Sequence, residues 1–453
     1  MRWFSALERR LDGNPEQKSA YSEFINEYYR LNHMREIDDD EPSPNFKTYY
    51  LPHHGVEKVD STTTKLRVVF DASCETDSGI SLNQALMVGP VVQDDLLAII
   101  LRFRMHRFVL VADIEKMYRQ IRIHYSDYPL QRIIWRNSSS QPLKTFELTT
   151  VTYGTASAPY LATKCLQQLS KDGSKDFPLA ATVLAKDFYV DDMLTGIDDE
   201  QTGELLCVQL LELLQSAGFS LRKWSSNSSV LLGKIPTELR DERTTLALDS
   251  NSTPIKTLGL QWHPINDQFS YFVPEWSKEL TITRRIVLSD TARLYDPLGL
   301  IGPIVVIANI FIQSLWRKSK NWDDQLDVTQ QQYWKDFRHS LNDLALIDIP
   351  RWVSSSSPTV TEIHGFCEAS EKAYGACIFL RTVSSDGNIF VSLIAAKSKV
   401  APLGDSKKQR RLSLPRLELS SAMLLSHLYH KVNISTSLNV KALFWTDSMI
   451  TLH

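Results

Sequence analysis

An apolar stretch with acidic residues at its centre stands out in the hydrophobic pattern of the chain. Val183–Thr195 is apolar except for two pairs of charged residues, the second of which is Asp191-Asp192. Residues 183–190 predict a buried strand, and a second strand begins at Met193. The two aspartates are therefore expected at the tight turn between two strands, next to core residues.

A second apolar stretch ends in another aspartate. Phe108–Ala112 predicts a short buried strand that is followed at once by Asp113. Burial and mutual repulsion oppose the ionisation of such carboxylates unless cations neutralise them. Carboxylates are preferred ligands of Mg²⁺, and two ions about 3.5–4 Å apart can clamp the oxygens of a phosphoryl transfer. The alternative is an ordinary Asp-rich hairpin turn.

The rest of the pattern predicts a mixture of helices and strands. Asn14-Pro15 predicts the start of an N-terminal helix. Further helices are predicted at Leu96–Phe103, Ala156–Leu169, Glu204–Ala217, Leu280–Trp316 with a break at 296–299, Trp322–Leu344 and Arg416–Leu428. Further strands are predicted at Lys65–Phe70, Phe219–Trp224, His364–Leu380, Phe390–Ala395 and Val440–Thr446.

Composition narrows the class without pointing to a function. The 453 residues are 43% hydrophobic and carry a net charge of −3, which is typical of globular protein and gives no overall sign of nucleic-acid binding. Five cysteines without a CxxC pair indicate reduced thiols and a cytoplasmic or nuclear setting. No signal peptide and no apolar run long enough for a membrane span is found, so no membrane contact is expected.

Two groups of basic residues could contact nucleic acid. Arg102, Arg104 and Arg107 lie at or after the end of the predicted helix Leu96–Phe103 and could bind a template backbone or form a solvated face. Residues 397–416 include seven basic residues and a single acidic one, Asp405. Such a density is typical of a solvated loop, with nucleic-acid contact as the alternative.

Several sequence motifs, in the same order along the chain, resemble one family of polymerases. FYVDDM resembles the hairpin of reverse transcriptases, and VLVADIEKMYRQI resembles their first catalytic strand and helix. KLRVVFDAS upstream and RLYDPLGLIGPI downstream resemble the polymerase of BEL/Pao-type LTR retrotransposons. The resemblance covers nearly the whole chain and implies that Asp113, Asp191 and Asp192 are the catalytic and metal-binding residues.

The resemblance also implies the fold and its division into segments. The fold is expected to be α+β, a right-hand polymerase with fingers, palm and thumb, followed by an incomplete α/β RNase H-like domain. The expected segments are an N-terminal helical segment (1–48), fingers and palm (49–262), a thumb or connection-like helical region (263–350), a linker (351–360) and a partial RNase H-like domain (361–453).

Further site residues follow from the same resemblance. Lys65 and Arg67 share one face of their strand, which could grip the triphosphate or be a solvated edge. Tyr118 matches an aromatic that packs under the sugar and rejects a 2′-hydroxyl, although it could be a core tyrosine. Tyr153 and Gly154 are expected to border the nucleotide pocket. Leu258 and Gly259 match the hairpin that holds the primer end.

The C-terminal segment carries a second set of acids. Glu368, Glu418 and Asp447 match the first three carboxylates of an RNase H site, where the family usually has Asp in place of Glu368. The extra methylene moves the carboxylate oxygens by about an ångström, a displacement that can cost about a hundredfold in rate. We therefore expect primer extension without degradation of the RNA in a hybrid.

The function that these observations favour is RNA-directed DNA polymerisation as part of a retrotransposon pol protein. It requires two Mg²⁺ ions, or Mn²⁺, an RNA template, a DNA or RNA primer and deoxynucleoside triphosphates. One alternative is a catalytically silent remnant that keeps the fold and the binding of nucleic acid. A second is an aspartic peptidase-associated segment, which rests on Asp77-Ser78-Gly79. The oligomeric state is not predicted.

Overall fold

The structure is a computed structural model. It describes residues 2–38, 47–57, 66–245, 254–273, 276, 281–316, 321–403 and 412–452. Lys65 and the basic residues at 407–411 lie outside these ranges. Among the described residues, no helix is both long enough and apolar enough to cross a membrane.

Helices and strands are interspersed along the chain. The helices are α1 (Arg2–Asp12), α2 (Pro15–Arg30), α3 (Leu82–Ala85), α4 (Leu96–Met105), α5 (Ala158–Gly173), α6 (Pro178–Lys186), α7 (Glu200–Ser216), α8 (Ser229–Gly233), α9 (Glu242–Thr245), α10 (Arg284–Arg293), α11 (Gly302–Leu315), α12 (Val328–Ser340), α13 (Leu414–Thr436) and α14 (Met449–Leu452). Short 3-10 helices cover Met117–Gln120, Tyr125–Gln131, Thr237–Leu239 and Leu341–Leu346.

The strands form several small sheets. They are β1 (Met34–Ile37), β2 (His53–Glu57), β3 (Leu66–Phe70), β4 (Phe108–Ile114), β5 (Arg132–Trp135), β6 (Lys144–Leu148), β7 (Phe188–Tyr189), β8 (Asp192–Ile197), β9 (Leu221–Ser226), β10 (Ile255–Thr257), β11 (Leu260–His263), β12 (Gln268–Ser270), β13 (Ile349–Pro350), β14 (Pro358–Ala369), β15 (Ala373–Ser384), β16 (Ile389–Val400) and β17 (Lys441–Trp445).

The chain divides into two compact units. The first comprises Met1–Gln93, Ile114–Asp191 and Gln209–Leu221. The second comprises Asp94–Asp113, Asp192–Val208 and Arg222–His453. Both units are therefore assembled from segments that are distant in the sequence.

The first unit packs α1 and α2 against two antiparallel sheets, β1-β6-β5 and β2-β3. Asn14 caps α2 by accepting a hydrogen bond from the Gln17 N–H at 3.2 Å, with a proline at the first helical position. The fully buried Tyr21 of α2 stacks on Trp135 with ring centroids 5.0 Å apart. The aromatic face of α2 is thus core.

The second unit contains two sheets that carry acidic residues. In one of them β8, β4 and β9 lie side by side, and β4 pairs antiparallel with β8. The other has the order β16-β15-β14-β17, with β17 parallel to β14 and the long helix α13 packed against β14 and β15. This mixed sheet with a helix on one face is the α/β architecture expected for the C-terminal segment.

Three predicted elements are corrected by the structure. Val183 and Leu184 lie in α6 instead of a strand, because Pro178 starts a helix in an alanine-rich run. The predicted strand His364–Leu380 is two strands, since Ser370 forms a turn by accepting the Ala373 N–H at 3.2 Å. The helix predicted at Trp322–Leu344 begins only at Val328, where Asp327 accepts the Gln330 N–H at 2.8 Å.

The predicted linker, 351–360, is also corrected in its first half. Arg351 is fully buried and donates hydrogen bonds to the carbonyls of Phe103 and His106 and to the Asp267 carboxylate. Val353 is buried as well, and its N–H donates to the Arg104 carbonyl at 3.2 Å. Residues that satisfy so many buried polar groups are part of the second unit. The other segment boundaries remain predictions.

Candidate active site and carboxylate clusters

Asp113 and Asp192 face each other on neighbouring strands. In the antiparallel pairing of β4 and β8, Asp113 is directly opposite Asp192, and Val111 is opposite Leu194. The residues of β4 before Asp113 are buried from Val109 to Ala112, so this strand cannot slip without exposing its core residues. The side chain of Asp113 remains one quarter exposed. The sheet therefore fixes two carboxylates side by side at its accessible end.

The third acid sits in the turn that precedes β8. Val190 has φ of 57°, which is a strained conformation for a β-branched residue. Its N–H donates to Oε1 of Gln93 at 3.0 Å, and the Asp191 carbonyl accepts the Ile114 N–H at 2.9 Å. These contacts hold the turn in place and fix the backbone of Asp191, immediately before Asp192.

A lysine that the sequence analysis does not single out contacts Asp113. The Nζ of Lys223, on β9, donates a hydrogen bond to Oδ2 of Asp113. Lys223 also has a positive φ of 54°. The only sequence signal was a cation inside the strand Phe219–Trp224. An ammonium group drawn to this carboxylate fits a site for cations, and donors that are all carboxylate oxygens suit a hard divalent ion.

A second group of carboxylates lies on the C-terminal sheet. Glu368 comes from the end of β14, Glu418 from the first turns of α13 and Asp447 from the residues after β17. One carboxylate oxygen of each residue lies within 4.8 Å of the corresponding oxygens of the other two. Burial, and then the charges of Glu368 and Asp447, raise the pKa of Glu418. Its Oε2 is buried without a hydrogen-bond partner among the described residues. A bound cation would relieve both costs.

The sequence matches two families in succession. Residues 57–261 match the family described as reverse transcriptase (RNA-dependent DNA polymerase), and residues 283–448 match the Pao retrotransposon-like RNaseH-like domain. These two matches support a Pao/BEL-type retrotransposon reverse transcriptase with an RNase H-like region. No curated protein matches the chain.

Solved structures of similar fold come from foamy viral proteins. A foamy viral protease-reverse transcriptase (dRH) in complex with double-stranded DNA aligns with a TM-score of 0.59 and 14% identity over 96% of this chain and 63% of the viral chain. A foamy viral protease-reverse transcriptase in complex with an RNA/DNA hybrid aligns with a TM-score of 0.56 and 14% identity over 97% and 49%, respectively. The fold, a reverse transcriptase domain followed by an RNase H-like domain, is therefore as expected. Members of the reverse transcriptase family generally use divalent metals.

Tyr118 lies on the 3-10 helix Met117–Gln120. The residue before that helix, Lys116, is in the left-handed conformation. Burial and then the nearby Asp191 charge raise the pKa of Tyr118, so its hydroxyl stays neutral and lies within electrostatic range of Asp191. Arg67 is exposed on β3, and Lys65 lies outside the described residues.

The contacts of Tyr153 and Gly154 with β3 explain, by packing alone, why these residue types stand at these positions. The hydroxyl of Tyr153 donates to the Val68 carbonyl at 2.6 Å, and its ring packs on Phe70 with centroids 5.5 Å apart. Gly154 has φ of 97°, and a Cβ there would lie 2.3 Å from the Phe70 carbonyl oxygen. The close approach that requires this glycine is thus to β3, and a role in nucleotide binding stays a prediction.

Leu258 and Gly259 form the tip of the hairpin β10-β11. Both have positive φ, at 48° and 84°. A Cβ on Gly259 would lie 2.7 Å from the ring of Tyr295. The hairpin tip that is predicted to hold the primer therefore depends on glycine at this position.

One of the arginines considered for template binding is not available for it. Arg104 is buried, and its guanidinium donates to the carbonyls of Pro350, Arg351, Leu393 and Ile394. Arg102 pairs with Asp94 at 2.9 Å. In the possible peptidase motif, the Gly79 N–H donates to the Thr76 carbonyl at 2.9 Å, which makes Asp77-Ser78-Gly79 an ordinary tight turn.

Proposed function

We propose that this chain is an RNA-directed DNA polymerase that adds deoxynucleotides to the 3′-hydroxyl of a primer. The observation that carries the proposal is the register of β4 and β8, which sets Asp113 opposite Asp192 and leaves Asp191 in the adjoining turn. Carboxylates so placed are the ligand set that phosphoryl transfer with divalent cations requires.

The proposed ligands of two Mg²⁺ ions, with Mn²⁺ as a substitute, are Asp113, Asp191 and Asp192. When bound, such ions activate an attacking hydroxyl and stabilise the charge that develops on the transferred phosphate. The strained turn at Val190 and the buried residues of β4 hold these carboxylates in place in advance, which avoids reorganisation during the reaction. The ammonium of Lys223 has to share or leave Oδ2 of Asp113 when a cation binds there.

The substrates are assigned by the same reasoning. A template and primer duplex is the proposed partner, and the viral structures of similar fold in complex with double-stranded DNA or an RNA/DNA hybrid support it. Deoxynucleoside triphosphates are proposed to contact Arg67 through their phosphates and Tyr118 through the sugar. Lys65, Tyr153 and Gly154 are proposed to belong to the same nucleotide-binding site. Leu258 and Gly259 are proposed to hold the primer end.

Primer extension on poly(rA) with an oligo(dT) primer and Mg²⁺ tests the polymerase. The parent protein should extend the primer, while Asp113→Asn and Asp191→Asn should abolish extension and leave thermal unfolding and duplex binding unchanged. Asp172→Asn is a matched control. The Asp172 carboxylate is exposed on α5 and accepts a hydrogen bond from Gln168 of the same helix. Residual extension within about tenfold of the parent, or 1.4 kcal/mol of barrier, would contradict the assignment. A parent that binds the duplex but never extends would favour the silent remnant.

We further propose a divalent cation site at Glu368, Glu418 and Asp447. The unpartnered buried oxygen of Glu418 supports it, together with the convergence of the three carboxylates. Titration with Mn²⁺, followed by its paramagnetic resonance signal, tests this site. The Glu418→Gln variant should lose one class of bound ion and keep primer extension.

A further inference from the structure

The N-terminal helix α2 contacts the segment that carries Tyr118. The Glu27 carboxylate lies 2.6 Å from the Nζ of Lys116 and 3.1 Å from the guanidinium of Arg119. The side chain of Glu27 is only one quarter exposed, and that of Arg119 is almost fully buried. One carboxylate thus holds two cations, one on either side of the Met117-Tyr118 pair.

The backbone that Glu27 holds is strained. Lys116 has φ of 51° and ψ of 39°, a left-handed conformation that costs an ordinary residue about 1 kcal/mol or more. Such a conformation persists only where the surroundings enforce it. The ion pair with Glu27 is a contact that can enforce it, because it fixes the side chain of the strained residue itself.

Arg119 is also held by Tyr28 of α2 and by His33, which follows that helix. Its guanidinium lies 3.9 Å from the ring centroid of Tyr28, and its Nε donates to Nδ1 of His33 at 3.0 Å. The ring of Tyr28 packs on Phe70 with centroids 5.9 Å apart, and Phe70 packs on Tyr153 at 5.5 Å. Consecutive residues of α2 therefore contact the Tyr118 segment directly and Tyr153 through Phe70.

We propose that α2 sets sugar selection in the polymerase, with Glu27 as a positioning residue that acts through Lys116 and Arg119 on Tyr118. This inference rests on the proposed polymerase function and on the role of Tyr118 as the group that meets the 2′ position. Helix α2 lies outside the segment 57–261 that matches the reverse transcriptase family. The proposal therefore gives a positioning role to a part of the chain that the match does not cover. An anchor of this kind is needed because a steric gate works only when its ring cannot retreat from the sugar.

The test compares kcat/KM for a deoxynucleotide with that for the matching ribonucleotide. Glu27→Gln should lower this ratio about tenfold, less than the hundredfold that an ångström of misplacement can cost. Glu27→Asp, which keeps the charge, should give an intermediate ratio. Glu23→Gln is the matched control, since its carboxylate is exposed on the same helix and pairs only loosely with Arg30 at 3.5 Å. The control should leave the ratio unchanged.

A double-mutant cycle separates positioning from a general loss of stability. Tyr118→Ala should itself lower the ratio, and in that background Glu27→Gln should have no further effect on it. If Glu27→Gln does not fold, Lys116→Met tests the same connection and should lower the ratio. An extending parent whose ratio is unchanged by Glu27→Gln, or equally reduced with and without Tyr118, would overturn this inference alone. A parent that never extends a primer would overturn the proposed function instead.

Discussion

At the scale of single residues, Asp113 already has a cationic partner. Its Oδ2 accepts a hydrogen bond from Lys223, and this is the kind of oxygen that a divalent ion would bind. Both side chains are partly exposed, so the ion pair is worth at most about 1 kcal/mol. An ion that binds Asp113 therefore competes with a cation supplied by the protein.

Removing that competitor should strengthen cation binding. We expect Lys223→Met to raise the Mn²⁺ affinity of the Asp113 and Asp192 pair about fivefold, which corresponds to about 1 kcal/mol. Calorimetric titration in a Glu418→Gln background measures it without a contribution from the second carboxylate cluster. Lys234→Met serves as the control, because Lys234 pairs with Glu204 at 2.9 Å with similar exposure. An unchanged affinity, or the same gain in both variants, would contradict this reading.

Two buried histidines should make the protein sensitive to acid. Burial, followed by the charge of Arg119, lowers the pKa of His33 to about 4, and burial lowers that of His53 to about 4. Both folded pKa values lie below the unfolded value of about 6.5, so the stabilisation is complete above pH 6.5 and is lost as the pH falls towards 4.

The expected loss in the free energy of unfolding between pH 7 and pH 5 is about 2 kcal/mol per histidine. Urea unfolding at the two pH values measures it. His53→Gln should remove its share of the dependence, whereas His124→Gln, at an exposed position, should leave the dependence intact. A free energy of unfolding that does not change with pH would show that these histidines are protonated in the folded protein.

At the scale of elements, the sequence predicts best where an apolar run is unbroken and ends at a charged residue. The strand β4 and its terminal Asp113 were predicted correctly, because the run from Phe108 to Ala112 is unbroken. The strand predicted at 183–190 was wrong at Val183 and Leu184, because short apolar runs such as that of α6 fit a helix and a strand equally well. Lys223 and Glu27 were missed, because their partners Asp113 and Lys116 are about 90 to 110 positions away along the chain, and no local pattern encodes such contacts.

Arg351 is the clearest case of an element fixed by non-local bonds. Its guanidinium lies on Asp267 and on backbone carbonyls at the end of α4, so it connects β13 to two other parts of the second unit. Replacing it with Met leaves a carboxylate and several carbonyls without their partner. We therefore expect Arg351→Met to cost about 3–5 kcal/mol of unfolding free energy.

The double variant Arg351→Met/Asp267→Asn should recover part of that loss, since it removes the unpaired charge. Arg285→Met is the comparison, because its ion pair with Asp323 is exposed on both sides and should be worth less than about 1 kcal/mol. Urea unfolding measures all three variants. Equal losses for Arg351→Met and Arg285→Met would mean that burial of Arg351 contributes nothing.

At the scale of the whole molecule, the chain carries two carboxylate groups with different surroundings. Asp113 and Asp192 lie opposite each other on paired strands, and Lys223 pairs with Asp113. Glu368, Glu418 and Asp447 converge, no described residue forms a hydrogen bond with Oε2 of Glu418, and the repulsion among the three helps to raise the pKa of Glu418. We propose that the first group binds cations together with substrate, while the second binds a cation.

The second group should bind a cation without cutting RNA. Oε1 of Glu368 accepts the Ala369 N–H at 3.0 Å, so the longer side chain folds back on its own backbone. The glutamate side chain is one methylene longer than that of Asp, and one oxygen of Glu368 lies within 4.8 Å of the other two carboxylates. An offset of about an ångström in a metal-dependent reaction can cost about a hundredfold.

We therefore expect the protein to extend primers and to leave the RNA of a labelled RNA–DNA hybrid intact, as judged by gel electrophoresis. Glu368→Asp should gain cleavage if side-chain length is what limits the site, and Glu371→Asp, at an exposed position in the adjoining turn, is the control for that change. Cleavage by the parent that survives Asp113→Asn and disappears with Asp447→Asn would show that the glutamate is accommodated after all. Cleavage that persists in both variants would point to a contaminating nuclease. The measurement would then be repeated on freshly purified parent protein, with the Asp447→Asn variant purified in parallel as the reference.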